Sequence, residues 1–344
     1  MPKSRAVRLS VLMGGALSLM FAGSPGHFEA QGATPSPVEP DGSAALNADS
    51  DYLPTPGGVK IHKSCGHTVP VGAAVAPNGD IVMGGPNGRV IEHVEPCKYP
   101  PIPQSGHTAG LNSVVEWVSD YPTNGATWFN EVASSIVVPA APGPFGEEVD
   151  LWVGLESQGN GNMVLQPVLH YSTGSVPPGC SSFQSSTGWA MLNYYIDQNG
   201  TPYCGAVTSP VYPGDDIYMG VTLDSTQGCN NNGTGCAFAS WYYVNGNGPG
   251  GLEVYGEPLQ LNEANLGALE FYYSGTNCAA LPPAVNGGLT FTLDALNVAV
   301  PQWYNYTNAG PYSYWQTQTA SPPGVPNCGY QPQFTDAVHL NYHN

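Results

Sequence analysis

Apolar and polar positions alternate along most of the chain beyond residue 110, with Gly, Pro and Asn clusters between the alternating runs. This period of two predicts strands at Glu131–Val138, Val149–Glu156, Met163–Tyr171, Gly188–Asp197, Asp216–Leu223, Ala237–Val244, Gly251–Tyr255, Ala268–Tyr273, Leu289–Val300 and Tyr312–Gln318. Shorter runs at Val69–Val75, Asp80–Met83 and Arg89–Glu92 read the same way. No segment carries a long helical period, although Glu263–Leu269 could make a turn. Many short strands with turn signals between them predict an all-β fold, an antiparallel two-sheet β-sandwich. Within it, Asp150–Glu156 and Asn162–Leu169 read as neighbouring strands joined by the turn Ser157–Asn162. The second holds the polar Gln166 in the middle of an apolar run. A glutamine there is either an ordinary outward residue or a group held in place for chemistry. Pro167 follows it and lacks an N–H, so the ladder beside Gln166 has to differ from a regular one.

Composition agrees with strands and turns. Of 344 residues, 44 are Gly, 34 Pro and 20 Tyr, and only 9% are charged. Lys3, Arg5 and Arg8 followed by the apolar Val11–Ala22 read as a secretory signal, too short to span a membrane, and residues 1–30 are assigned to it. Residues 31–105 read as a pro-segment or linker with a small strand-rich module. Residues 106–344 then form the sandwich domain, after the Pro-rich break that begins at Tyr99. Eight cysteines in a secreted chain point to disulfides, with Cys65–Cys97 and Cys229–Cys236 as local pairs; no Cys-x-x-Cys spacing points to zinc. Asn199, Asn232 and Asn305 stand in glycosylation triplets.

The charge map changes the picture most. All seven Lys and Arg precede Tyr99, whereas eight of the 25 Asp and Glu do, which leaves 17 acids and no Lys or Arg in the body. Such a body repels itself at neutral pH and loses that repulsion as its carboxyls protonate, which suits a protein that works in acid. It also excludes nucleic acid as a partner, since phosphates need cations. Lys60, Lys63, Arg89 and Lys98 are the cations available to pair the preceding segment with the acidic body.

Several familiar catalytic motifs are absent, among them Gly-x-Ser-x-Gly, His-Glu-x-x-His and the paired Asp-Thr-Gly of pepsin-like enzymes. Glu148-Val-Asp-Leu-Trp-Val153 approaches the Glu-x-Asp-x-x-Glu strand of laminarinase-type hydrolases but ends in valine, without the second catalytic carboxyl. Ala133–Pro139, Trp152-Val-Gly-Leu-Glu156, Val164-Leu-Gln166, Pro213–Val221 and Ala268-Leu-Glu-Phe271 form an ordered set over residues 112–300. That set resembles the eqolisins, or glutamic peptidases, secreted acid endopeptidases with a concanavalin-like sandwich (jelly roll).

The resemblance implies a catalytic dyad of Gln166 and Glu270, with Glu263 a competing choice for the glutamate, and a substrate cleft lined by Trp152, Trp189 and Trp117. It implies polypeptide substrates, no metal or cofactor, no nucleic-acid or membrane partner, and a monomer. The chemistry is sound for acid: a carboxylate can act as base where histidine is protonated, and an amide donor does not titrate. A carbohydrate-binding or glycan-hydrolysing sandwich is the alternative, suited to the Tyr and Trp content.

Overall fold

The computed structural model describes residues 51–343 except 57–59, 86, 101–111, 124–127, 144–147, 158–162, 174–175, 181–187, 225–235, 257–260, 273–277, 284–287, 301–304, 310–312 and 320–326. The signal region, the turn Ser157–Asn162 in its larger part, and the pair Cys229–Cys236 lie outside the described residues. Strands in chain order are β1 (Tyr52–Pro54), β2 (Lys60–His62), β3 (His67–Thr68), β4 (Ala73–Val75), β5 (Ile81–Met83), β6 (Arg89–Glu92) and β7 (Asn112–Pro122). They continue as β8 (Trp128–Val137), β9 (Glu148–Ser157), β10 (Met163–Ser172), β11 (Gly188–Ile196), β12 (Pro202–Val211), β13 (Asp216–Asp224) and β14 (Cys236–Val244). The last are β15 (Leu252–Gly256), β16 (Glu263–Tyr272), β17 (Gly288–Val300), β18 (Asn305–Asn308), β19 (Ser313–Thr319), β20 (Gln333–Phe334) and β21 (Ala337–Asn341).

Eight strands form one sheet in the order β19-β7-β16-β9-β10-β11-β12-β3, and eleven form a second, β20-β21-β17-β8-β13-β14-β15-β4-β5-β6 with β18 paired to β17. The sheets are antiparallel except where β3 joins β12 and β4 joins β15 in parallel. One core fills the space between them: Leu151, Leu155, Leu165 and Leu169 of the first sheet pack with Val132, Ile217, Met219 and Phe238 of the second. The alternation read from the sequence is the cause, since each strand turns every second side chain inward.

Two features depart from the sequence reading. Glu263–Leu269 is not a turn but the first part of β16, which a bulge between Asn265 and Ala268 bends along β9. β7 and β12 carry no regular alternation in sequence, because bulges displace their partners. The segment at residues 60–92 adds edge strands to both sheets through β3 and β4, and Ile81 and Val75 reach the common core. Lys63 pairs at 2.6 Å with Asp51 of its own segment rather than with the acidic body. Cys65–Cys97, Cys180–Cys204 and Cys278–Cys328 are disulfides, and all described residues fall within one compact unit. No helix among the described residues is long and apolar enough to cross a membrane.

Candidate active site

The outward face of the eight-stranded sheet carries an unusual load. Its residues are the even-numbered positions of β9, β10 and β11. Trp152, Val164, Val168, Ala190, Leu192 and Tyr194 form a second apolar cluster there, apart from the main core. Among them lie polar side chains that are also buried: Asp150, Gln166, His170, Glu263, Asn265 and Glu270. Part of the cover is Val176–Cys180. Its Pro178 carbonyl accepts from the Tyr194 hydroxyl at 3.1 Å, and the Cys180–Cys204 disulfide ties it to β12.

Gln166 is completely buried, and neither its amide nitrogen nor its amide oxygen has a hydrogen-bond partner among protein atoms. Leaving a buried amide unpaired costs about 1–3 kcal/mol for each polar end. An outward residue in solvent would incur no such cost, so that reading of Gln166 is excluded. The β9–β10 register runs from Leu165–Leu155 to Val168–Trp152 and has no pair at the two positions between. This is the irregularity expected at Pro167, and it leaves Gln166 facing Gly154. A Cβ on Gly154 would stand 2.9 Å from the Leu165 carbonyl oxygen and 3.0 Å from the Gln166 Cβ. Glycine is therefore required there, because the two strands approach too closely at Gln166 for a side chain to fit between them.

Asn265 stands across Gly154 on β16, and Glu263 stands across Glu156. Gln166, Asn265, Glu156 and Glu263 are thus neighbours on this face, with Trp152 one step further along β9. These groups are linked. The Asn265 amide donates to Glu156 at 2.7 Å, while its carbonyl lies 3.0 Å from the Ser119 hydroxyl. Ser119 also reaches Glu263 Oε1 at 2.7 Å, and Tyr121 donates to the same oxygen at 2.9 Å. Glu156 is only partly covered, yet desolvation and then the neighbouring charges of Glu263 and Glu270 push its carboxyl up to about 8. It is protonated throughout the acid range.

Glu270 pairs with Asp150, which pairs in turn with His170. It is fully buried on the same face. By register it lies four residues along β9 from the Gln166 row, whereas Glu263 lies two. Its charge still acts at the centre of the face. It helps to raise Tyr194, the cross-strand partner of Gln166, after desolvation and the charges of Asp150 and Glu148. His170 Nδ1 is 2.7 Å from Asp150 and 3.9 Å from Glu148. These three side chains are the ones placed to hold a metal ion among the described residues, with ligand atoms all within 4.8 Å. Burial drives Asp150 well above the usual carboxylate range.

The tryptophans divide. Trp152 is buried on this face, and Trp117, opposite Ala268, packs partly against the same cluster. Trp189 does not line the cleft: it pairs with Tyr171, turns into the core between the sheets and makes an edge-on contact with that ring at 5.2 Å. Strand parity is the reason, since Trp189 and Tyr194 are five residues apart and face opposite ways. Sequence reading missed Ser119, Tyr121, Asn265 and the Asp150–His170 pair. The only signal for them was polar residues at positions of one parity.

No family model matches the chain, and no curated protein matches it. Among solved structures, a scytalido-glutamic peptidase with a transition-state analogue inhibitor aligns over 67% of this chain and 99% of its own, with 11% identity and a TM-score of 0.40. SCP-B, a member of the eqolisin family of peptidases, in complex with the tripeptide Ala-Ile-His, aligns over the same shares with 12% identity and a TM-score of 0.35. Sheep galectin-11 in complex with glycerol aligns over 49% of this chain and 97% of its own, with 10% identity and a TM-score of 0.22. Scores this low carry no functional argument, and what the chain does has to be argued from its own residues.

Proposed function

We propose that the chain is a secreted acid endopeptidase that hydrolyses peptide bonds with a glutamine and a glutamate. The observation that carries this reading is Gln166, a buried amide with both ends unpaired, on a sheet face that also carries Glu263 and a Glu156 carboxyl held protonated. A scissile carbonyl brought to Gln166 supplies the acceptor that its N–H lacks. Register favours Glu263 as the base, and its Oε1 is held in place by Ser119 and Tyr121. The glutamate takes a proton from water as the water oxygen bonds to the carbonyl carbon. Gln166 Nε2 donates to the oxyanion. The proton then passes to the leaving nitrogen, the C–N bond breaks, and the carboxylate is restored. Glu156 enters as a proton donor beside the base. Trp152 and Trp117 present apolar surface to the substrate chain.

Glu270, the glutamate that the family resemblance implies, is the second reading for the base, favoured by the reach of its charge to Tyr194 and Glu156. Secretion rests on the leader read in the sequence and on the disulfides.

The test is release of peptides from denatured casein at pH 2–5 by the protein and by Gln166→Ala, Glu263→Gln and Glu270→Gln, each checked for fold by circular dichroism. Removing the oxyanion donor should lower kcat/KM by roughly 10²–10³, and removing the base by roughly 10²–10⁴. Glu263→Gln is expected to fall by the larger factor of the two glutamate variants. The reverse ranking transfers the base to Glu270. No peptide release at any of these pH values defeats the reading.

A further inference from the structure

The other sheet has an outward face of its own, and it is aromatic. Tyr218 of β13 pairs directly with Tyr243 of β14, and Trp241 lies one step along, opposite Gly220. Ring centroids are 4.8 Å apart for Tyr218–Trp241, 5.8 Å for Trp241–Tyr243 and 6.3 Å for Tyr218–Tyr243. Tyr218 and Tyr243 are 41% and 42% exposed. Gly220 is what lets the tryptophan ring lie on the sheet: a Cβ there would be 2.8 Å from Trp241 Cζ2 and 2.9 Å from the Ala133 Cβ. The indole N–H donates to Thr222 Oγ1 at 2.9 Å, which fixes the ring along the sheet.

Beside the rings runs a groove of about 1010 Å³, lined by Val137, Pro139, Asp216, Leu289, Thr290 and Thr292 together with the two tyrosines. Carboxylates border it. Asp294 accepts from Ser135 and Glu131 accepts from Asn297, and both carboxylates lie close enough to Tyr218 to act on its hydroxyl.

Charge selects the occupant. No Lys or Arg lines the groove and Asp216 does, so an acidic peptide, a nucleic acid or an acidic polysaccharide finds no Lys or Arg to pair with along it. The face offers flat apolar rings, carboxylate acceptors and threonine hydroxyls side by side. A neutral sugar ring matches all three, with C–H groups on its faces and hydroxyl donors on its edge. We propose that this face binds a neutral oligosaccharide chain, separately from Gln166 on the other sheet.

The full chain would be run in native gels cast with hydroxyethyl-cellulose, laminarin or galactomannan, and titrated with cellohexaose while tryptophan fluorescence is followed. The comparison protein is Tyr218→Ala/Tyr243→Ala, two exposed positions whose loss leaves the core intact, with circular dichroism and casein hydrolysis as controls. Retardation in at least one gel, weakened tenfold or more in the double variant while both controls hold, is the expected result. No retardation in any gel, or equal retardation of both proteins, overturns the proposal. It is also overturned by polylysine binding that the double variant loses without any glycan binding, or by a dimer in sedimentation that the double variant turns into monomer.

Discussion

Glu116 offers the sharpest test of whether this body gains stability in acid. It sits on the inner side of β7, opposite Leu269, with no exposed surface, and neither carboxyl oxygen has a hydrogen-bond partner. The Gln331 N–H relieves it only weakly, because that donor already serves the Asn341 carbonyl at 2.9 Å. Desolvation pushes the carboxyl from 4.5 up to about 8. Between those values the unfolded chain has released the proton and the folded chain has kept it, so stability falls as pH rises. Each pH unit removes about 1.4 kcal/mol. From pH 4.5 to pH 8 the loss is roughly 5 kcal/mol, against a typical domain stability of about 5–15. Below pH 4.5 the group is protonated in both states and costs nothing. Urea denaturation of the protein and of Glu116→Gln at half-unit steps from pH 3 to pH 8 reads this directly. The wild-type curve should descend more steeply than that of the variant, by close to one proton between pH 5 and pH 7. Parallel curves over that interval would mean that Glu116 ionises at no cost, and the burial argument would be wrong.

Gly154→Ala forces a methyl group against the Leu165 carbonyl and Gln166, so it should cost about 1–3 kcal/mol and lower casein hydrolysis with it; an unchanged melting temperature with full activity would refute the close approach of the strands there. Removing the Cys180–Cys204 bridge as a double alanine variant should cost about 3 kcal/mol and release the segment over Tyr194, which faster protease cleavage between residues 173 and 188 would report. We expect residues 60–98 to stay with the body after a cut between residues 99 and 112, because β3 and β4 pair with both sheets. The two fragments should elute together on gel filtration and separate only in denaturant; separation in plain buffer counts against a lasting module.

Much of the architecture was legible because its cause is local. A period of two states which side chains share a face, whatever the strand's neighbours are, so the all-β sandwich, its principal strands and the company of Gln166, Val164 and Val168 could be read in advance. Charge is also additive, so the cationless acidic body needed no coordinates. Spacing suggested Cys65–Cys97 because its residues are close in sequence, and β16 was read only in its second half because the bulge at Asn265 breaks the alternation. What joins distant segments could not be read. Glu263 and Glu156 meet across β16 and β9 although more than a hundred residues separate them, and Ser119 enters from a third strand. The tail after Val300 supplies β19, read in the sequence as the run at Tyr312–Gln318, to one sheet, and β20 and β21, which were not read, to the other.

The sequence by itself determined that a polar amide would sit among apolar neighbours on a strand, in an acidic body with no Lys or Arg beyond Lys98. Only the tertiary structure decided that the amide is buried and unpaired, that Gly154 lets the neighbouring strand close on it, and that Trp189 turns away into the core. Strand register depends on pairing free energies summed over segments far apart in the chain, which no local pattern contains.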